Sequence, residues 1–236
     1  MSVAVITGAS RGLGLALARA LARRGWSLVL DARGGEALAE VAKELAEWTA
    51  VAALPGDVAD ARHRAALLEA ATALGGVDLL VNNASVLGAE PLVPLADQPL
   101  EGFRQALEVN VTAPLALVQQ ALPLLRRSEA GAVVCVSSDA AVEAYPTWGG
   151  YGAAKAALDQ LSAVLAAEEP GLRVWAVDPG DMLTELYTAA VPQDTDLGGR
   201  ALPEAVAPAF LALLDRRPAS GRYTAAALLA PAGARR

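Results

Sequence analysis

Tyr151 and Lys155 stand four residues apart in Tyr151-Gly152-Ala153-Ala154-Lys155. On a helix, positions i and i+4 share a face, so a phenol and an ammonium meet there. An ammonium beside a phenol favours the phenolate and lowers the tyrosine pKa. A tyrosine tuned that way gives or takes a proton near neutral pH. The lysine is a selective choice, because the chain's only other lysine is Lys43 and its remaining permanent side-chain cations are arginines. The plain alternative is a surface tyrosine beside a surface lysine.

Composition narrows what else the chain does. Its 236 residues, 54% hydrophobic and 19% charged, suffice for one globular α/β domain over 1–236 with a large core. A net charge of -7 without a basic cluster argues against a nucleic-acid partner. Arg126-Arg127, Arg216-Arg217 and Arg235-Arg236 read as solvated pairs. No apolar stretch approaches the roughly 20 residues of a membrane span. The chain enters a strand-like run at once, with no signal peptide, and a soluble cytoplasmic protein is the expectation. Cys135 is the single cysteine, inside the apolar run Val133-Val134-Cys135-Val136, which excludes an internal disulfide and suggests a core position. His63, the single histidine, reads as the exposed first turn of a helix. One histidine and one buried cysteine exclude a His/Cys metal site, and no G-x-S-x-G accompanies His63 for serine hydrolysis. The chemistry left belongs to tyrosine, lysine, serine and the carboxylates.

The elements that must position these groups alternate. Strand signals fall at 3–7, 27–30, 50–54, 79–82, 132–137, 173–177 and 223–229. Helix signals fall at 13–24, 36–48, 61–74, 100–125, 151–168 and 204–215. Such alternation predicts one Rossmann-type doubly wound domain, about seven parallel strands with helices on both faces. Residues 184–200, rich in Pro, Asp and Gly, read as a long loop serving as a substrate lid.

The first strand runs into Thr7-Gly8-Ala9-Ser10-Arg11-Gly12-Leu13-Gly14 and then a helix. Glycines there let backbone N–H groups approach a pyrophosphate, which the helix N-terminus attracts. The second strand ends in Asp31-Ala32-Arg33, where such folds meet the adenosine ribose. An acid suits the two hydroxyls of NAD, and an arginine suits the 2′-phosphate of NADP. Arg33 with Arg11 would make a two-guanidinium clamp, since guanidinium matches phosphate geometry, and this favours NADP(H) over NAD(H). The plain alternative is an Asp31–Arg33 ion pair. Asp57 and Val58, after the third strand, are placed to cap the adenine. Asn82-Asn83-Ala84-Ser85 closes the fourth strand, where asparagine amides can tie neighbouring strands.

Together these features resemble the short-chain dehydrogenase/reductase family, over essentially the whole chain. The glycine motif, Asn82-Asn83-Ala84, Asn110 in Val109-Asn110-Val111, Ser138 thirteen residues before Tyr151, Tyr151 with Lys155, and Pro179-Gly180 with Thr184 occur in the family's order. The resemblance implies that Tyr151 is the general acid in reduction and the base in oxidation. Lys155 would lower its pKa and hold the nicotinamide ribose. Ser138 would bond the substrate carbonyl oxygen. Asn110 would hold a water in a proton path to Lys155. Gly8, Ser10, Arg11, Gly12, Leu13, Gly14, Arg33, Asp57, Val58, Asn83, Ala84, Tyr151, Lys155, Pro179, Gly180, Met182 and Thr184 would line the cofactor, and no metal is implied. The implied reaction interconverts a ketone or aldehyde and an alcohol with NAD(P)(H). A 3-oxoacyl thioester reductase and a non-catalytic nucleotide sensor are the alternatives, although a sensor usually loses the tyrosine or lysine.

The chain departs from the family at three places. Ser85 replaces the glycine that commonly follows Asn-Asn-Ala and narrows the site. Asp139, next to Ser138, would repel acidic substrates or raise the Tyr151 pKa if it pointed inward; the simpler expectation is that it turns to solvent. Gly221-Arg222-Tyr223-Thr224 stands where Val-Asp-Gly-Gly is usual, which puts tetramer contacts in question. Val86, Leu87, Ala140, Tyr145, Trp148, Met182, Leu183, Leu186 and Tyr187 are the candidate pocket, and they suit an apolar or aromatic small-molecule carbonyl compound. The surplus apolar surface of the 100–125 and 151–168 helices predicts a homodimer or homotetramer.

Overall fold

A computed structural model describes residues 1–230; Arg235-Arg236 and the end of the 1–236 span lie outside the described residues. The strands are β1 (Val3–Ile6), β2 (Ser27–Ala32), β3 (Val51–Pro55), β4 (Leu79–Asn82), β5 (Ala132–Val136), β6 (Arg173–Asp178) and β7 (Gly221–Thr224). They form one parallel sheet in the order β3-β2-β1-β4-β5-β6-β7. Strands buried on both faces need unbroken apolar runs, and β1 and β5 are buried at every position.

Helices α1 (Gly12–Ala22), α2 (Gly35–Leu45) and α8 (Pro203–Arg216) cover one face. Their Leu17, Leu21, Leu38 and Leu213 pack on Ile6, Leu28 and Leu30. Helices α3 (Ala61–Leu74), α5 (Ala113–Leu125) and α6 (Gly149–Glu168) cover the other, with Leu67, Leu117 and Leu158 against Val3, Val5 and Val29. Each such fully buried side chain contributes about 1.5–3 kcal/mol. The order reverses between β1 and β4, which opens a crevice at the carboxyl ends of these strands.

Two elements differ from the sequence expectation. The 100–125 helix is divided into α4 (Leu100–Leu107), a π turn over Glu108–Thr112, and α5. Pro114 has no N–H to offer the Asn110 carbonyl, so an α-helical bond is missing there, and Ala113 N–H reaches back five residues to the Glu108 carbonyl. The last strand ends at Thr224 rather than continuing to 229. Thr224 Oγ1 accepts from Ala227 N at 3.2 Å and caps α9 (Ala225–Leu229), whose Ala/Leu run favours helix.

Residues 184–200 also carry structure: α7 (Glu185–Ala190), capped by Thr184, and a 3-10 turn over Leu197–Gly199. Arg200 fastens the segment to Asp194 and Asp181 at 3.0 Å each, and Tyr187 OH donates to Asp194 at 2.7 Å. Among the described residues, no helix is long and apolar enough to cross a membrane.

Candidate active site

The crevice is a cleft of about 1520 Å³ running from the glycine loop to residues 184–191. Tyr151 and Lys155 enter it from the first turns of α6, both buried. A Cβ on Gly152 would come within 2.5 Å of the Ala140 carbonyl oxygen, so only glycine lets α6 pack onto the loop that carries Ser138. Lys155 Nζ donates to the Val136 carbonyl at 2.8 Å, at the end of β5, and sits 5.4 Å from the Tyr151 ring centroid. Trp148 meets the same ring edge-on at 5.8 Å.

Ser138 Oγ donates to Asp139 Oδ1 at 3.1 Å and accepts from Ala140 N at 3.2 Å. Tyr145 OH donates to Asp139 Oδ2 at 3.0 Å. Asp139 therefore lies along the cleft wall with its oxygens engaged, not turned to solvent. The Tyr151 phenol is also not lowered as expected from its lysine. Burial pushes it up to about 12; the neighbouring Ser85 hydroxyl opposes this, and the Asp139 and Asp178 charges add to the rise. The cause is a dry site whose ammonium points at the Val136 carbonyl. Burial brings Lys155 down to about 8, opposed by Cys135 and Asp159.

Asn110 is fully buried in the π turn, behind the cleft wall. Its Nδ2 donates to the Val86 carbonyl at 2.8 Å, and its Oδ1 accepts from Val86 N at 3.0 Å and Ser85 Oγ at 3.1 Å. Its side chain thus braces the strand-β4 loop, with no bond to Lys155. Among the candidate pocket residues, Val86, Leu87, Tyr145, Trp148, Met182, Leu183, Leu186 and Tyr187 line the cleft. Ala140 does not; it packs behind, against Leu87, Leu92 and Tyr151.

At the other end the lining includes Gly8, Ser10, Arg11, Gly12, Leu13, Arg33, Asp57, Val58, Asn83, Ala84, Pro179, Gly180, Met182 and Thr184. Gly14 lies beneath the loop, where a Cβ would meet the Gly8 carbonyl oxygen at 2.3 Å. Asn83 Nδ2 donates to the Thr7 and Gly8 carbonyls at 2.8 and 3.1 Å, and Thr7 Oγ1 accepts from Asn83 N and Ala84 N at 3.0 Å each. These bonds tie β4 to the glycine loop.

The ribose end needs two corrections. His63 is not exposed: its ring lies against Gly56, and Nε2 is 2.6 Å from Asp31 Oδ1. Asp31 also accepts from Gly8 N at 3.4 Å; it is 3% exposed, lines the cleft, and is paired with His63 rather than with Arg33. Arg11 does not converge with Arg33; it forms an ion pair with Glu185 of α7. Arg33 is exposed on the cleft, with no ion-pair partner among the described residues. No group of three or more His, Cys, Asp or Glu among them is placed to hold a metal ion.

A glycine-looped crevice at the strand-order reversal, with tyrosine and lysine one turn apart, defines a recognisable type. The sequence pattern of the short chain dehydrogenase family matches residues 2–195. The chain belongs to the short-chain dehydrogenase family. It is an oxidoreductase of that family. It is 33% identical over 211 residues to a rhamnolipid-biosynthesis 3-oxoacyl-[acyl-carrier-protein] reductase of Pseudomonas aeruginosa, covering 85% of this chain and 81% of that protein. It is 35% identical over 224 residues to cis-4-hydroxycyclohexanecarboxylate dehydrogenase of Sinomonas cyclohexanicum, covering 88% and 87%. The crystal structure of an alcohol dehydrogenase of Thermococcus sibiricus, complexed with 5-hydroxy-NADP, superposes with a TM-score of 0.85 at 30% identity, over 95% of each chain.

Sequence reasoning missed Arg222, whose guanidinium reaches the Ser138 carbonyl and Asp178. The only signal was that Gly221-Arg222-Tyr223-Thr224 departs from the family's ending.

Proposed function

We propose that this oxidoreductase interconverts an apolar or aromatic ketone or aldehyde and the corresponding alcohol with NADP(H). The observation that carries the reading is the convergence of Ser138, Tyr151 and Lys155 on one cleft continuous with the glycine loop. The cleft suits a dinucleotide: backbone glycines and the start of α1 would face a pyrophosphate, and Arg33 is an exposed guanidinium at the adenosine-ribose end. Asp31 lines the same end of the cleft but is engaged by His63 and Gly8 N, which leaves Arg33 as the exposed group there and favours NADP(H). The cofactor, when bound, supplies or accepts hydride.

The protein's part is binding and proton movement. Ser138 Oγ turns from Asp139 to donate to the substrate oxygen. Tyr151 OH is protonated at neutral pH and gives its proton to that oxygen in reduction. Lys155 would hold the nicotinamide ribose and keeps positive charge beside the phenol. Tyr145, Trp148, Leu186 and Tyr187 offer an apolar wall, and residues 184–200 act as the lid. We further propose that the chain is a single cytoplasmic domain that works as a homodimer or homotetramer.

NADPH consumption with a panel of aromatic ketones, aliphatic ketones and a 3-oxoacyl thioester tests the reading. Turnover of free ketones, abolished in Tyr151→Phe, is the expected result. Turnover of the thioester alone would move the assignment to acyl-chain reduction. No turnover with any of them, despite NADPH binding, would overturn it.

A further inference from the structure

Arg222 lies on the edge strand β7, yet its guanidinium turns inward toward the catalytic group. Nη2 donates to the Ser138 carbonyl at 2.9 Å and to Asp178 Oδ2 at 3.3 Å, and Nε donates to Asp159 Oδ2 at 2.9 Å. These acceptors belong to three elements. Ser138 leads the loop after β5, Asp178 ends β6 just before Pro179-Gly180, and Asp159 stands one turn beyond Lys155 on α6. We infer that Arg222 is a positioning residue for catalysis, fixing Ser138 against the Tyr151–Lys155 helix through these three bonds.

The charges support a role beyond packing. Asp159 and Asp178 are 14% and 8% exposed at their side chains, and Asp159 Oδ1 is buried without a hydrogen-bond partner. Arg222 is therefore the ion-pair partner of Asp159 among the described residues, and a buried carboxylate that loses its partner is costly. The two acids also act on the catalytic pair. Asp178 and Asp139 raise the Tyr151 phenol while Ser85 lowers it; Asp159 and Cys135 raise the Lys155 ammonium. Without Arg222, both acids bear on Tyr151 and Lys155 uncompensated, and Ser138 loses the donor that holds its carbonyl. The inference rests on the proton-transfer roles proposed above for Ser138, Tyr151 and Lys155.

The chain's two lysines make this testable without a substrate. With ¹³Cε-lysine labelling, NMR titration follows Lys43 and Lys155 separately, the latter with an expected midpoint of about 8. In Arg222→Gln the Lys155 midpoint is expected to rise by about half a pH unit or more as Asp159 goes unbalanced. An added Asp159→Asn substitution should bring it back toward the starting value. With a ketone that the wild-type enzyme reduces, Arg222→Gln should also lower kcat by about tenfold or more through misplacement of Ser138. An unmoved Lys155 midpoint together with an unchanged kcat would overturn the inference. If Arg222→Gln fails to fold, Arg222→Lys decides. It keeps the charge but cannot span three acceptors, so a several-fold lower kcat with the Lys155 midpoint kept is expected, and a wild-type kcat overturns the inference. The NMR readout needs no turnover, so failure of the assigned reaction would be seen separately.

Discussion

Burying Lys155 takes an ammonium out of water, and its Val136 bond repays only part of that cost. Its pKa is about 8 when folded against an ordinary 10.5. Between those values the unfolded chain binds the extra proton, so this residue makes stability rise with pH across that window. Lys155→Met should accordingly raise the melting temperature at pH 7 and lose that advantage by pH 10, read by calorimetry at both pH values. A gain that does not diminish with pH would contradict the assignment. On the proposed mechanism Tyr151→Phe removes only the proton donor; kcat should fall by about a thousandfold or more, while NADPH binding, followed by fluorescence, changes less than about threefold. The Tyr–Lys spacing made this pair legible in the sequence. Its electrostatics were not, because Asp139, Asp178 and the burial that raise the phenol arrive from other elements.

The strand–helix alternation made the doubly wound sheet legible, since parallel strands buried on both faces must be apolar and their crossovers helical. The π turn escaped because one proline, Pro114, redirects a ladder that the apolar pattern continues unbroken. The end of strand β7 escaped because Thr224 starts a helix with the same Ala/Leu residues that extend an apolar run. The Asn-Asn-Ala segment did reveal its tying role. Asn83→Ala deletes its bonds to the Thr7 and Gly8 carbonyls, and should cost about 1–3 kcal/mol of stability by denaturant unfolding. It should also weaken NADPH binding by loosening the glycine loop; intact stability and affinity would show that the amide bonds are dispensable.

Across the whole molecule, exposed apolar side chains sit on the helices that the sequence singled out for subunit contact. Leu115 of α5 and Val164 of α6 are 40% and 42% exposed. Light scattering should give a dimer or tetramer for the wild type and a smaller species for Leu115→Glu combined with Val164→Glu; a monomeric wild type would refute the association. Cofactor choice is also a property of the assembled fold. The sequence offered Asp31 and Arg33 side by side, and only the fold brings His63 from α3 against the acid and leaves Arg33 exposed on the cleft. The most direct test is the pair of dissociation constants for NADPH and NADH, measured on the wild type and on Arg33→Ala. NADPH binding about tenfold or more tighter than NADH, with that preference lost in Arg33→Ala, is the predicted result. Equal affinities, or tighter NADH binding, would contradict the account.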